Sequence, residues 1–97
     1  MAVIEHALLP VRAGSEAAFE AAVADAKPLI EASPGFISLE IRRPLDPGQP
    51  YLLLVQWRSV ADHRDGFRTS ERYQRWRALL HPFYDPVPTV GYFGDPV

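Results

Sequence analysis

Among its 97 residues the chain has no cysteine, one methionine and two tryptophans. Without a thiol there is no disulfide framework, no thiolate nucleophile and no Cys-ligated zinc or iron–sulfur centre. Positive charge is not in excess either. Ten Lys and Arg against twelve Asp and Glu leave a formal charge of −2, the wrong sign for a general nucleic-acid binder. No apolar run approaches the roughly 18 residues that cross a membrane. The start, MAVIEHALLPVR, carries Glu5 and His6 inside its apolar stretch, unlike a secretory signal. A cytoplasmic protein without membrane or nucleic-acid partners is expected. Low-complexity tracts and solenoid repeats are missing too.

With 47% hydrophobic and 23% charged residues, the composition suits one globular domain over residues 1–97. Proline is the residue in surplus: ten are present, roughly twice the average frequency. Pro44, Pro47 and Pro50 form one cluster and Pro82, Pro86 and Pro88 another. Because proline removes a backbone donor and breaks helices, both clusters read as joints between elements.

From Ala2 to Arg12 the chain reads as a strand, with Val3, Glu5, Ala7 and Leu9 on one face and Ile4, His6 and Leu8 on the other. Ser15 to Ala32 reads as a helix N-capped by Ser15. Its stripe is Phe19, Ala22, Val23, Ala26 and Ile30, and Pro28 should kink its last turn. Phe36–Arg42 alternates, with Ile37, Leu39 and Ile41 on one side. Tyr51–Trp57 is apolar on both faces, as a central strand buried on both sides would be, and pairs with Phe36–Arg42 as a hairpin. Ser59 to Leu80 divides into a short helix around Ala61–Phe67 and a longer one over Glu71–Leu80 capped by Ser70. The second helix turns Tyr73, Trp76, Leu80 and then Phe83 inward. Thr89–Phe93 is a last strand. The order β–α–β–β–α–β predicts an α+β, ferredoxin-like sandwich: an antiparallel sheet with helices on one face. The other face of the sheet is left apolar and bare, which predicts a sheet-to-sheet homodimer.

Several motifs resemble the antibiotic biosynthesis monooxygenase domain, over nearly the whole chain. They are Pro34-Gly35-Phe36, Gln56-Trp57-Arg58-Ser59, the order Phe67…Ser70…Tyr73…Trp76, and Phe83-Tyr84-Asp85-Pro86-x-Pro88. The resemblance implies a dimeric α/β-barrel whose C-terminal strand often reaches the partner, with a pocket between sheet and helices in each subunit. Such proteins include cofactor-free monooxygenases that oxidise polycyclic phenols, quinol monooxygenases, haem-degrading enzymes and proteins of unknown role. The phenol-oxidising branch uses an Asn and a Trp on the third strand, a Tyr in the following helix and an Arg in the next. Here those positions hold Leu53, Trp57, His63 and Arg77. The haem-degrading branch uses an Asn, a Trp and a helical His, where this chain has Ala7, Gly66/Phe67 and Trp76. The axial ligand is missing, which disfavours haem degradation.

Cofactor-free oxygenation needs an electron-rich phenol, a base and an apolar enclosure. His63 is the candidate base, its ordinary pKa being near 6.5. Trp57 is a candidate to stack on an aromatic substrate and donate its N–H, and Arg77 to stabilise a phenolate. His6, Phe67, Tyr73 and Trp76 are candidate substrate contacts. Each has a plain alternative. Trp57, Tyr73 and Trp76 suit a core, His63 an exposed helix start, and His6 a dimer face. Arg77 belongs with Arg64, Arg68, Arg72 and Arg75, a run that solvated faces show when balanced by Asp62, Asp65 and Glu71. His81 suits helix-end capping. The histidine spacing is not that of a metal site, and no phosphate loop or nucleophile elbow is present, so neither metal nor cofactor is expected. The expected activity is oxygen insertion from O₂ into a small aromatic phenol or quinol. The alternative is a non-catalytic ligand-binding or stress-associated dimer, which predicts a pocket filled by side chains or lacking a base.

Overall fold

The alternation in the first segment folds as β1 (Val3–Leu9), with Glu5, Ala7 and Leu9 turned inward and Ile4, His6 and Leu8 outward. The computed structural model describes residues 2–97; Met1, the first residue of the expected domain, lies outside the described residues. There follow α1 (Glu16–Glu31), β2 (Phe36–Arg42), β3 (Tyr51–Trp57), α2 (Glu71–Leu80) and β4 (Gly91–Phe93). All strand pairs are antiparallel, in the order β2-β3-β1-β4, and the helices pack on one face. This is the ferredoxin-like sandwich, with Phe19, Ile30, Val55, Trp57, Phe67 and Leu80 fully enclosed between its layers.

Helix α1 buries Phe19, Val23, Ala26 and Ile30, the spacing that puts one stripe toward the sheet. Ser15 occupies its N-cap position, its carbonyl accepting the Phe19 N–H at 2.8 Å as the first intrahelical bond, yet the expected side-chain cap is not made. Pro28 is accommodated one turn from the end, and the helix runs on to Glu31. At α2 the expected cap forms: Ser70 Oγ accepts the Tyr73 N–H at 3.2 Å.

Three segments depart from expectation. In β2, Phe36 pairs with Trp57 and Ser38 with Gln56, so Ile37 is the extra residue of a bulge. Ile37 is therefore 50% exposed, and Phe36 takes the inward place, its ring 5.9 Å from that of Trp57. The segment expected as a short α-helix is instead a π-helical turn, Asp62–Gly66, running into a 3₁₀ turn, Phe67–Thr69. Thr69 Oγ1 donates to the carbonyls of Asp65 and Gly66 at 2.6 and 3.2 Å, taking up acceptors that an α-helix would use. The last strand is shorter than expected, and it pairs with β1 of its own chain. The link before it is held to the end of β1 by Arg12 N–H to Phe83 O and Asp85 N–H to Pro10 O, both 2.9 Å.

β3 is covered on one face only. Tyr51, Leu53, Val55 and Trp57 are buried, whereas Leu52 and Leu54 share the outward face with Leu8, which is 50% exposed.

Gly35 fixes how β2 meets the π-helical turn. Its φ is +83°, and a methyl group there would collide with the Asp62 carboxyl, which Ser59 and Arg58 hold in place. Gly14 and Gly48 have φ of +86° and +84° but open space around them. Gly14→Ala and Gly48→Ala are expected to cost about 1–2 kcal/mol for the left-handed backbone alone. Gly35→Ala should cost about 1–3 kcal/mol more through the clash. Urea denaturation of the three variants checks this, and equal losses would refute the packing account.

Candidate active site

Strand register brings four side chains to one wall between the sheet and the turns. Glu5 on β1 faces inward opposite Tyr92 of β4. Trp57 lies diagonally from Glu5 on β3, since Val3 is the residue paired with it. The π-helical turn then hangs His63 over Glu5. The Trp57 indole N–H donates to Glu5 Oε1 at 2.9 Å, and His63 Nε2 stands 3.3 Å from the same oxygen. On the far side of the ring, His63 Nδ1 and the Tyr92 hydroxyl are 2.5 Å apart. Glu5 is 4% exposed and His63 3%. This wall borders a cavity of about 420 Å³. Its remaining lining is largely apolar and aromatic, including Leu53, Phe67, Tyr73, Trp76 and Tyr84.

Burial governs the charges here. It pushes the Glu5 carboxyl up to about 7, against the opposing pull of the Trp57 hydrogen bond and the Arg68 charge. It pushes His63 down to about 4, and the Arg68 charge acts in the same direction. At neutral pH His63 is therefore a neutral imidazole and Glu5 is near the middle of its titration; the two are not an ion pair. Burial and then the nearby Glu5 charge raise the Tyr92 hydroxyl. His81, also on the cavity wall, is lowered by burial and by Arg77 and Arg68. Such a wall can exchange protons with a bound molecule at neutral pH.

The structure brings His63, Phe67, Tyr73 and Trp76 to the cavity. Trp57 stands behind it: fully buried, with its N–H committed to Glu5, it holds the carboxyl and does not line the space. Arg77, on α2 beside the buried Trp76, is itself exposed and does not line the cavity. The guanidinium groups that do line the cavity are those of Arg64 and Arg68, and Arg68 sits 5.7 Å from the centre of the Tyr73 ring. His6 lies on the outward face of the sheet, its ring 5.5 Å from that of Phe93. His81 was expected only as a helix cap, but its ring packs against Tyr73 and Tyr84.

Glu5 and Tyr92 were not among the expected site residues. For Glu5 a signal existed: one carboxylate in register with Val3, Ala7 and Leu9 on an inward face. Nothing comparable marked Tyr92, whose contact with His63 depends on where β4 pairs. Among the described residues no three His, Cys, Asp or Glu side chains are placed to hold a metal ion.

Residues 2–79 match the family model described as antibiotic biosynthesis monooxygenase. The uncharacterized protein YczJ of Bacillus subtilis is 44% identical over 93 residues, covering 96% of this chain and 98% of its own. Among solved structures, a candidate antibiotic biosynthesis monooxygenase of Bordetella bronchiseptica superposes with a TM-score of 0.92 at 33% identity, over 99% of this chain and 98% of that one. SnoaB, a cofactor-independent oxygenase from Streptomyces nogalater, has the same fold, with a TM-score of 0.83 at 19% identity over 99% and 94% of the two chains.

The two buried groups act on stability in opposite senses. Glu5 binds its proton more tightly folded (about 7) than at the ordinary 4.5, so its contribution is complete below pH 4.5 and falls away up to pH 7. His63, folded about 4 against 6.5, favours the folded state increasingly as pH rises from 4 to 6.5. Urea denaturation between pH 4.5 and 6.5 should therefore show little net slope from this pair. In Glu5→Gln stability should climb with pH by on the order of 2–3 kcal/mol, and in His63→Gln it should fall by a similar amount. Parallel profiles in the wild type and both variants would contradict the opposed burial effects.

Proposed function

The chain belongs to the antibiotic biosynthesis monooxygenase family, and from that premise we propose that it inserts oxygen from O₂ into a small aromatic phenol or quinol without a bound metal or organic cofactor. One observation carries the reading: a buried, neutral His63, hydrogen-bonded to Tyr92 on one side and 3.3 Å from the Glu5 carboxyl on the other, on the wall of a largely apolar and aromatic cavity of about 420 Å³. That volume lies within the range of about 300–1,000 Å³ usual for small-molecule sites. The alternative, a non-catalytic binding dimer, calls for a filled pocket or one without a base, and this cavity is open and has titratable groups on its wall.

In this reading the chain contributes enclosure, orientation and proton transfer, and the substrate contributes the electrons. Phe67, Tyr73, Trp76 and Tyr84 hold the rings and exclude water. The wall removes the phenolic proton, and Arg68, not Arg77, faces the phenolate that results. The electron-rich ring then reduces O₂ and bonds to it. One oxygen stays on the ring and the other leaves as water. A phenol plus O₂ yields a quinone plus H₂O, the new oxygen being a carbonyl, and a quinol plus O₂ yields a hydroxyquinone plus H₂O, the new oxygen being the hydroxyl. No outside reductant is needed.

We also infer a homodimer closed across the outward face of the sheet. The supporting feature is the apolar row of Leu8, Leu52 and Leu54, with Ile37 and Phe93 nearby and exposed. Sedimentation at micromolar concentration should show a dimer, and Leu54→Arg should shift it to a monomer. A wild-type monomer under those conditions would sink the assembly.

Oxygen uptake with a panel of naphthols, anthrones and quinols tests the activity. His63→Ala should lower the rate by about 10²–10⁴-fold, Arg68→Ala should also lower it, and Arg77→Ala should leave it unchanged. If no member of the panel drives uptake above background, the reaction is not the one proposed.

A further inference from the structure

The base that contacts substrate and the group that finally keeps the proton need not be the same. We propose that Glu5 is the terminal proton acceptor of this cavity, and that the proton reaches it from the bound phenol through the Tyr92 hydroxyl and the His63 imidazole, which changes tautomer without becoming a cation. The inference rests on the proposed reaction for its purpose, but its geometry stands independently.

Tyr92 and Glu5 both border the cavity, on either side of His63. The Tyr92 hydroxyl meets Nδ1 at 2.5 Å, and Nε2 meets Glu5 Oε1 at 3.3 Å. With Glu5 ionised, Nε2 carries the hydrogen and donates to the carboxylate, and Tyr92 donates to the bare Nδ1. The phenol donates its proton to the Tyr92 oxygen as the Tyr92 proton passes to Nδ1 and the Nε2 proton passes to Glu5. Three bonds to hydrogen break and three form. Glu5 ends protonated, Tyr92 intact, His63 neutral in its other tautomer, and the substrate a phenolate.

Charge explains why the proton should not stop at the imidazole. His63 is 3% exposed, and an imidazolium there would be a new buried cation facing Arg68. Delivery to Glu5 removes a buried anion and places the same single negative charge on the substrate. The groups facing the chain of three come from every neighbouring element. Trp57 on β3 donates its N–H to Glu5, Arg68 of the 3₁₀ turn acts on all three, and Arg64 and Asp65 of the π-helical turn act on Tyr92. Burial also moves Glu5 and His63 in the directions the relay needs.

Nitrogen NMR of ¹⁵N-histidine-labelled protein from pH 5 to 9 tests this, with His6→Gln and His81→Gln assigning the His63 signals. In the wild type the hydrogen on His63 should sit mainly on Nδ1 below about pH 7 and mainly on Nε2 above it, with no imidazolium formed in that range. Glu5→Gln should abolish the exchange of tautomers. An imidazolium appearing near neutral pH, or a single tautomer throughout, would overturn the relay. The wild-type titration decides by itself, so the result does not depend on the variant folding. No turnover is involved, so absent oxygen uptake would reject the reaction and leave the relay intact, whereas a fixed tautomer would reject the relay and leave the reaction.

Discussion

A carboxyl group sealed between a sheet and its helices must either find donors or give up its charge, and most of this site follows from how Glu5 does some of each. Trp57 supplies one donor and the His63 imidazole stands 3.3 Å away, while burial shifts the group toward its neutral form. Three separate pieces of chain have to agree for this to happen. The β1–β3 register brings the indole, the β1–β4 register brings Tyr92, and the turn after β3 brings the imidazole. A fault in any one leaves a buried polar atom without its partner, which is more costly than the loss of a surface contact. The fold is thus tied to the site at its centre, not only around its edge.

A short apolar, partly β-branched stretch ended by proline made β1 readable from the amino-acid order, a short apolar run bounded by turn residues did the same for β3, and the Ser70 cap marked the start of α2 to the residue. These are local signals, decided within one turn or one pleat. The bulge at Ile37 was not readable, because the alternation of Ile37, Leu39 and Ile41 continues straight through it; only pairing with Trp57 shows that Phe36 is the inward residue. The π-helical turn was hidden for a related reason. Whether the carbonyls of Asp65 and Gly66 bond to backbone or to Thr69 is a competition among nearly equal local options.

The same division runs through the site. His63, Phe67, Tyr73 and Trp76 were visible because they fall on the inward side of short helical pieces, where spacing and type suffice. Arg77 came from the resemblance alone, and resemblance fixes a place in the helix order without fixing which way the side chain faces; here it is exposed and does not line the cavity. Trp57 was assigned to the cavity when its neighbour Glu5 stands between the two roles, and only the diagonal contact separates them. Tyr92 depends on a three-residue strand at the edge of the sheet, and three residues carry too little pattern to announce a register.

Strand β1 has one property whose reach extends past the chemistry. Its odd-numbered residues, Glu5, Ala7 and Leu9, serve the interior, and its even-numbered ones, Ile4, His6 and Leu8, serve the outer face. Because the side-chain period is two, inserting or deleting one residue before Glu5 exchanges the two sets entirely. Descent can therefore revise this strand one letter at a time, altering either the cavity wall or the outer face. It cannot change the strand's length by one without trading each for the other. Parity, more than the identity of any one residue, is what relatives of this chain have to inherit.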